Sequence, residues 1–112
     1  MKDKQALSQI KQHYNDILEE QASLNNDFEL FKSNKTIQKA IKMDVFQIGE
    51  IVNKLSEKTK GLLNERDVRG IVNVRNFIAH TYVIVDDLII WDSINNDIPK
   101  LINELEQIVD KQ

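Results

Sequence analysis

Apolar residues recur every three or four positions along most of the chain, which is the period of an amphipathic α-helix. The longest such stripe covers residues 37–55 and predicts a helix capped by Ser33 or Asn34. This helix is expected to end near Gly61, since glycine readily forms a C-terminal cap. Gly49 lies inside the helix, where glycine costs about 1 kcal/mol relative to alanine. We therefore expect another backbone to pass close to Gly49.

The same spacing predicts three further long helices. The first is centred on residues 6–18. Another begins at Asn64, a good N-cap residue, and continues to about His80. The last begins near Asp97, and Pro99 is tolerated in its first turn. Four main helices are thus expected.

Two short helices are predicted between the long ones. The asparagines at 25–26 can cap one over residues 28–31, and a second runs from Asp86 to Trp91. Residues 82–85 are rich in β-branched side chains, but no partner strand is evident, so we interpret them as an irregular link. The predicted fold is an all-α bundle of four main helices plus one or two short helices.

The composition excludes several classes of protein. A chain of 112 residues is enough for one compact domain, residues 1–112. It contains no cysteine, which excludes disulfides, thiolate metal sites and a cysteine nucleophile. Its two histidines, His13 and His80, exclude a multi-histidine zinc site, and we predict neither a metal site nor a cofactor. His13 is expected to be a solvated surface residue.

The chain also lacks the signature of a membrane protein. No apolar run approaches the roughly 18 residues that a membrane span requires, and the first ten residues do not read as a signal peptide. We therefore expect a soluble, cytoplasmic protein with no membrane partner.

The net charge of −3 argues against a nucleic-acid-binding protein, but the charges are unevenly distributed. Arg66, Arg69 and Arg75 are the only arginines, and they fall within ten residues, whereas the other twelve cations are lysines. Residues 86–112 carry seven acids and two lysines. Because the guanidinium group suits bidentate phosphate contacts, residues 66–75 are the first candidate for a phosphate-binding site.

The last of these arginines opens a cluster of polar side chains, which consists of Arg75, Asn76, His80 and Tyr82. Each helical residue advances by about 100°, so the four side chains are expected to project from one broad face. Residues 77–79 can then point towards the core. The same residue types also occur commonly as interface and capping residues, and Glu50 and Trp91 are expected to be a surface carboxylate and a half-buried aromatic.

The chemistry of this cluster suits RNA cleavage without a metal. Histidine titrates near neutral pH and can act as a general acid or base, so this role is open to His80. Arg75 can stabilise the charge that develops on a phosphoryl group. The ribose 2′-hydroxyl would attack the adjacent phosphorus and leave a cyclic phosphate and a 5′-hydroxyl, and DNA would be spared. Two copies facing each other across a twofold axis would supply two of each group.

The segment RNFIAHTY, residues 75–82, resembles the R-x-x-x-x-H-x-Y signature of the HepT-type toxins in the HEPN superfamily. The stretch FQIGE at 46–50 resembles an apolar-Gly-Glu sequence in the long helix of that family. Residues 87–101, with Trp91 and Pro99, resemble its C-terminal pattern. The resemblance therefore covers nearly the whole chain.

This resemblance implies a HEPN-like helical homodimer in which both subunits line one cleft. It implies a metal-independent RNA endonuclease that restrains growth, with Arg75 and His80 as the catalytic pair and Asn76 in a supporting role. It also implies a partner, a small nucleotidyltransferase antitoxin that transfers AMP from ATP to Tyr82 and thereby silences the toxin. The residues leave two alternatives open: a catalytically silent helical binding subunit of a nucleotidyltransferase, and a plain dimerising bundle.

Overall fold

The computed structural model describes residues 2–80 and 86–111, and these ranges are almost entirely helical. The helices in chain order are α1 (Lys2–Ser23), α2 (Phe28–Ser33), α3 (Lys35–Asn53), α4 (Glu57–Leu62), α5 (Glu65–Ala79), α6 (Asp87–Asp92) and α7 (Ile98–Asp110). No strand occurs within the described ranges. The all-α prediction is confirmed, and α1, α3, α5 and α7 are the four main helices expected from the apolar stripes. None of the helices described is both long enough and apolar enough to cross a bilayer.

The predicted end of the long third helix near Gly61 is wrong. The helix α3 ends at Asn53, and Gly61 lies inside the separate helix α4, so the described chain has three short α-helices rather than one or two. The Ser56 hydroxyl caps α4 by accepting a hydrogen bond from the Thr59 N–H at 3.2 Å. The Asp3 carboxylate of α1 accepts hydrogen bonds from the hydroxyls of Ser56 and Thr59, and the distance to Ser56 Oγ is 2.9 Å. A carboxylate from the first turn of α1 thus binds the residues that begin α4.

The predicted short helix before the last one is present, and its connection to α7 is helical as well. Asp86 caps α6, and its side chain accepts from the Leu88 N–H at 2.8 Å. A π-helical turn, Ser93–Asp97, then leads directly into α7. Ser93 and Ile94 in this turn are buried, so the extra residue of the wider turn keeps both α6 and α7 packed on the core.

The core lies between the four long helices, and α3 packs against both α1 and α5. Its fully buried members are aliphatic apart from Phe31, and they include Ile10, Ile17, Ile41, Ile48, Ile71, Leu101 and Leu105. Phe31 lies 5.0 Å from Trp91 between ring centroids, and Phe28 lies 5.8 Å from the same ring. This aromatic cluster joins α2 to α6, and Trp91 is half-buried as expected.

The expectation that His13 is a solvated surface residue holds only in part. Its side chain is 31% exposed, and Nδ1 lies 3.0 Å from Asp44 Oδ1. Because α1 packs directly on α3, the inner side of His13 faces a carboxylate of the neighbouring helix instead of water.

Candidate active site

The helix α5 carries three of the four predicted site residues at its C-terminal end. Asn64 caps its start, and its side chain accepts from the Arg66 N–H at 2.9 Å. The helix ends at Ala79, and the His80 N–H donates to the Phe77 carbonyl at 3.3 Å. His80 is therefore the C-cap residue, as the predicted bounds of this helix required. Its side chain is exposed at the surface.

The Arg75 side chain is held from three directions. Its Nε and Nη2 groups pair with the Glu50 carboxylate of α3, and its Nη1 group donates to Asn76 Oδ1 at 2.9 Å. The guanidinium also lies over the Phe46 ring, with 5.0 Å between Cζ and the ring centroid. The contact with Phe46 is a cation–π interaction, and the hydrogen bonds to Glu50 are charge-assisted. Three fixed contacts place the cation in one orientation at the surface.

Phe46 and Glu50 are four residues apart on α3, so they share the face of that helix that meets α5. Sequence reasoning missed Phe46 as a contact of the arginine and expected Glu50 to be a surface carboxylate. Instead, Glu50 is 27% exposed and bound to Arg75. The sequence did offer one signal for these contacts. The stretch FQIGE, which resembles an apolar-Gly-Glu sequence of the family, contains both Phe46 and Glu50.

Gly49 explains how α3 and α5 approach each other at this point. A Cβ added at Gly49 would lie 2.8 Å from Arg75 Cγ, still closer to Arg75 Cβ, and 3.5 Å from the Ile71 carbonyl oxygen. Contacts under about 3 Å require the neighbouring atoms to move. The predicted close approach is confirmed, although the nearest atoms belong to the Arg75 side chain and not to a backbone.

The expectation that residues 77–79 face the core holds only in part. Ile78 is half-buried, but Ala79 is exposed and Phe77 is 43% exposed. The buried face of α5 is set by Ile71 and Val74, and its continuation four residues on is Ile78. Phe77 and Ala79 therefore lie on the surface, where Phe77 lines a groove with Leu88 and Ile89 of α6.

The exposed surface at Ala79 continues onto α3. An open groove of about 510 Å³ runs between α3 and the end of α5, and it is lined by Lys39, Lys42, Met43, Phe46, Ile78 and Ala79. Met43 is 59% exposed. The Arg75 cation thus lies next to a surface that combines apolar side chains with two lysines.

The three arginines of residues 66–75 do not form one basic face. Arg66 lines a groove with the acidic groups Asp67, Asp92, Asp97 and Glu104. Arg69 lies 3.9 Å from Glu65, with 65% of its side chain exposed. Nine residues separate Arg66 from Arg75, which places them on opposite sides of α5 at about 100° per residue. Within the part of the chain that is described, only Arg75 of the three belongs to the candidate site.

Tyr82 lies outside the described residues, so its predicted role stays a prediction. The structure brings Arg75, Asn76 and His80 to one end of α5 and adds Glu50 and Phe46 from α3. The contacts described use three of the five N–H donors of the guanidinium, and the Arg75 side chain is 27% exposed. The arrangement can therefore bind an anion beside an exposed histidine.

The sequence matches known proteins over most of its length. Residues 4–108 match the family model of the HepT-like ribonucleases. "Putative RNase MJ0127" of Methanocaldococcus jannaschii is 32% identical over 99 residues, which cover 84% of this chain and 82% of that protein. "Putative RNase MJ1380" of the same organism is 26% identical over 100 residues, which cover 89% and 90% of the two chains.

No solved structure matches this chain. The family match spans nearly all of the helices described above, including both α3 and α5, which build the candidate site. The helical fold, the motif at the end of α5 and the length of the match agree with one another, and the chain belongs to the HepT-like ribonuclease family.

Proposed function

We propose that this protein is the toxin of a toxin–antitoxin pair and acts in the cytoplasm as a metal-independent RNA endonuclease. The observation that carries the proposal is the Arg75 guanidinium, which Glu50, Asn76 and Phe46 hold in one orientation towards the end of α5 that His80 caps. Membership of a ribonuclease family supports the same reaction class. A surface arginine that served only for solubility would not need three partners.

In the proposed reaction, His80 removes the proton from a ribose 2′-hydroxyl, and the oxygen attacks the adjacent phosphorus. The bond from phosphorus to the 5′-oxygen breaks, and a second, protonated histidine gives a proton to the leaving oxygen. Arg75 neutralises the charge that develops on the phosphoryl oxygens. The products are a 2′,3′-cyclic phosphate and a 5′-hydroxyl, and side chains alone supply the acid, the base and the positive charge.

The second histidine comes from a second copy of the chain. The Phe46 ring on which Arg75 lies lines a groove that also contains the exposed side chain of Met43 and the half-buried Ile78. An apolar surface beside polar catalytic groups suits burial against the same surface of a twofold-related copy. In the resulting homodimer, two Arg75 and two His80 side chains line one cleft.

The cleavage experiment uses purified protein and RNA in a buffer that contains a chelator. Wild type is expected to cleave the RNA and leave cyclic phosphate ends, and His80→Ala is expected to lose at least about a hundredfold in rate. His13→Gln is the matched control, because it alters the other histidine, which faces Asp44 away from the site. Equal inertness of wild type and His80→Ala would overturn the ribonuclease and favour the alternative, a silent binding subunit of a nucleotidyltransferase.

We further propose that a nucleotidyltransferase antitoxin adenylylates Tyr82. In sequence Tyr82 is two residues beyond His80, so a bulky anionic AMP group on its hydroxyl would compete with RNA phosphate for Arg75. Incubation with the cognate transferase and ATP is expected to add the mass of AMP and to abolish cleavage. An unchanged mass, or the same mass gain in Tyr82→Phe, would contradict this assignment.

A further inference from the structure

A second cluster of chemically capable side chains lies where α1 meets α3. His13 and Asp16 are three residues apart on α1 and therefore share a face of that helix. Asp44 of α3 faces them, with 3.0 Å between its Oδ1 and His13 Nδ1. One nitrogen or carboxylate oxygen from each of the three residues lies within 4.8 Å of the others. The cluster thus offers three metal-type donor atoms from two helices.

The cluster lies on a different side of α3 from the candidate active site. Asp44 is two positions before Phe46, which corresponds to about 200° around the helix. Phe46 and Glu50 face α5 and Arg75, whereas Asp44 faces α1. A ligand bound at the cluster would therefore touch none of the groups proposed to cleave RNA.

The charges in the cluster favour a cation. The Asp44 side chain is only 15% exposed, and its Oδ1 lies 3.0 Å from His13 Nδ1. The Asp16 carboxylate lies within 4.8 Å of the same two groups. Two carboxylates thus converge on one imidazole ring, so a divalent ion would relieve both the repulsion and the cost of burying a charge.

The donor set also indicates which cation would bind. One imidazole and two carboxylates suit borderline divalent ions such as Zn²⁺, whereas Mg²⁺ and Ca²⁺ prefer oxygen ligands alone. Donor atoms around a tetrahedral zinc ion, with bonds of about 2.0–2.1 Å, lie roughly 3.3 Å apart. The observed 3.0 Å between His13 and Asp44 is close to that spacing, and the exposed Asp16 side chain can rotate inwards.

We propose that His13, Asp16 and Asp44 form a divalent metal site, best matched to zinc, that clamps α1 to α3. A water molecule would complete the tetrahedron. The composition excludes a site built from several histidines, but it does not exclude this mixed set. The proposal is independent of the ribonuclease, and its expected consequence is greater stability of the bundle upon metal binding.

The test compares metal-stripped protein with and without zinc chloride, using thermal unfolding and titration calorimetry. Saturating zinc is expected to raise the Tm of wild type by roughly 5 °C or more. Asp16→Asn is the decisive variant, because it removes a ligand but leaves the bond between His13 and Asp44 in place. It should bind zinc at least about tenfold more weakly. His13→Gln should show the same loss.

Glu19→Gln is the matched control, because it removes an exposed carboxylate from the same helix outside the cluster. It is expected to bind zinc like wild type. The proposal is overturned if zinc produces neither heat nor a shift in Tm in wild type, or if Asp16→Asn binds it equally well. RNA cleavage is measured in chelator, so either proposal can fail without affecting the test of the other.

Discussion

Arg75 is the residue on which the candidate site depends. Its planar guanidinium contacts Glu50 through two nitrogens and Asn76 through a third while lying on the Phe46 ring. Only arginine has the donors and the flat surface for all of these contacts together. Lysine would keep the charge but could not keep the orientation.

Arg75→Lys is therefore expected to lower kcat for RNA cleavage by about a hundredfold, the effect of misplacing a group that stabilises developing charge. Single-turnover cleavage and circular dichroism provide the measurement. Arg69→Lys is the matched control, since Arg69 lies on the same helix with 65% of its side chain exposed. Equal activity of the two variants would mean that positive charge alone suffices.

The ionised form of Glu104 destabilises the folded protein. Burial raises its pKa, the Asp67 carboxylate raises it further, and Oε2 is buried with no hydrogen-bond partner among the described residues. Because the folded-state pKa lies above the unfolded value of about 4.5, the native state binds more protons. The contribution of Glu104 to stability should therefore fall as pH rises from about 4.5 towards neutrality.

Glu104→Gln removes this penalty and is expected to stabilise the protein at pH 7. Below the unfolded-state pKa of about 4.5 the carboxyl is neutral in both states, so the advantage should disappear. Urea unfolding at pH 4 and pH 7 measures the difference. A gain that is independent of pH would point to packing and not to charge.

At the scale of helices, the sequence predicted where elements lie better than where they end. Asn64 and Asp86 cap α5 and α6 as expected, because an N-cap depends on residues only two or three positions away. The end of α3 depends on Asp3, which is 53 residues away from Ser56. The apolar stripe continued through Leu55 and obscured Ser56, whose hydroxyl caps α4 and was the one local signal of the break.

The two glycines of α3 and α4 provide a matched pair for testing helix contacts. Gly49→Ala would press a methyl group into Arg75, and we expect it to destabilise the protein by about 1–3 kcal/mol and to weaken RNA cleavage. An alanine Cβ at Gly61 would have nothing within 4 Å, so Gly61→Ala should stabilise α4 by up to about 1 kcal/mol. Thermal unfolding of both variants tests the contrast. A stabilised Gly49→Ala would show that Arg75 moves aside without cost.

At the scale of the whole molecule, charge and apolar surface are segregated. Asp67, Asp92, Asp97 and Glu104 surround the start of α5, whereas Arg75 and the groove with Lys39 and Lys42 lie towards its other end. The net charge of −3 therefore conceals one acidic region and one region that can accept phosphate.

The groove end is also where a second copy is expected to dock. Wild type should be a dimer by light scattering at micromolar concentration, and Met43→Glu should be a monomer that no longer cleaves RNA. Met43 is 59% exposed, so the Tm of the monomeric variant should not fall through loss of core packing. Leu62→Glu, 61% exposed on α4, is the matched control and should remain dimeric. A monomeric wild type that still cleaves RNA would refute the shared cleft.

The sequence by itself determined the four main helices, the N-caps of α3 and α5 and the grouping of Arg75, Asn76 and His80 at the end of one helix. These features depend on periodicity and on neighbours within a turn or two. The tertiary structure decided which carboxylate holds Arg75, where α3 ends and what faces His13. Those contacts join residues 25, 53 and 31 positions apart, and helix packing alone brings such residues together.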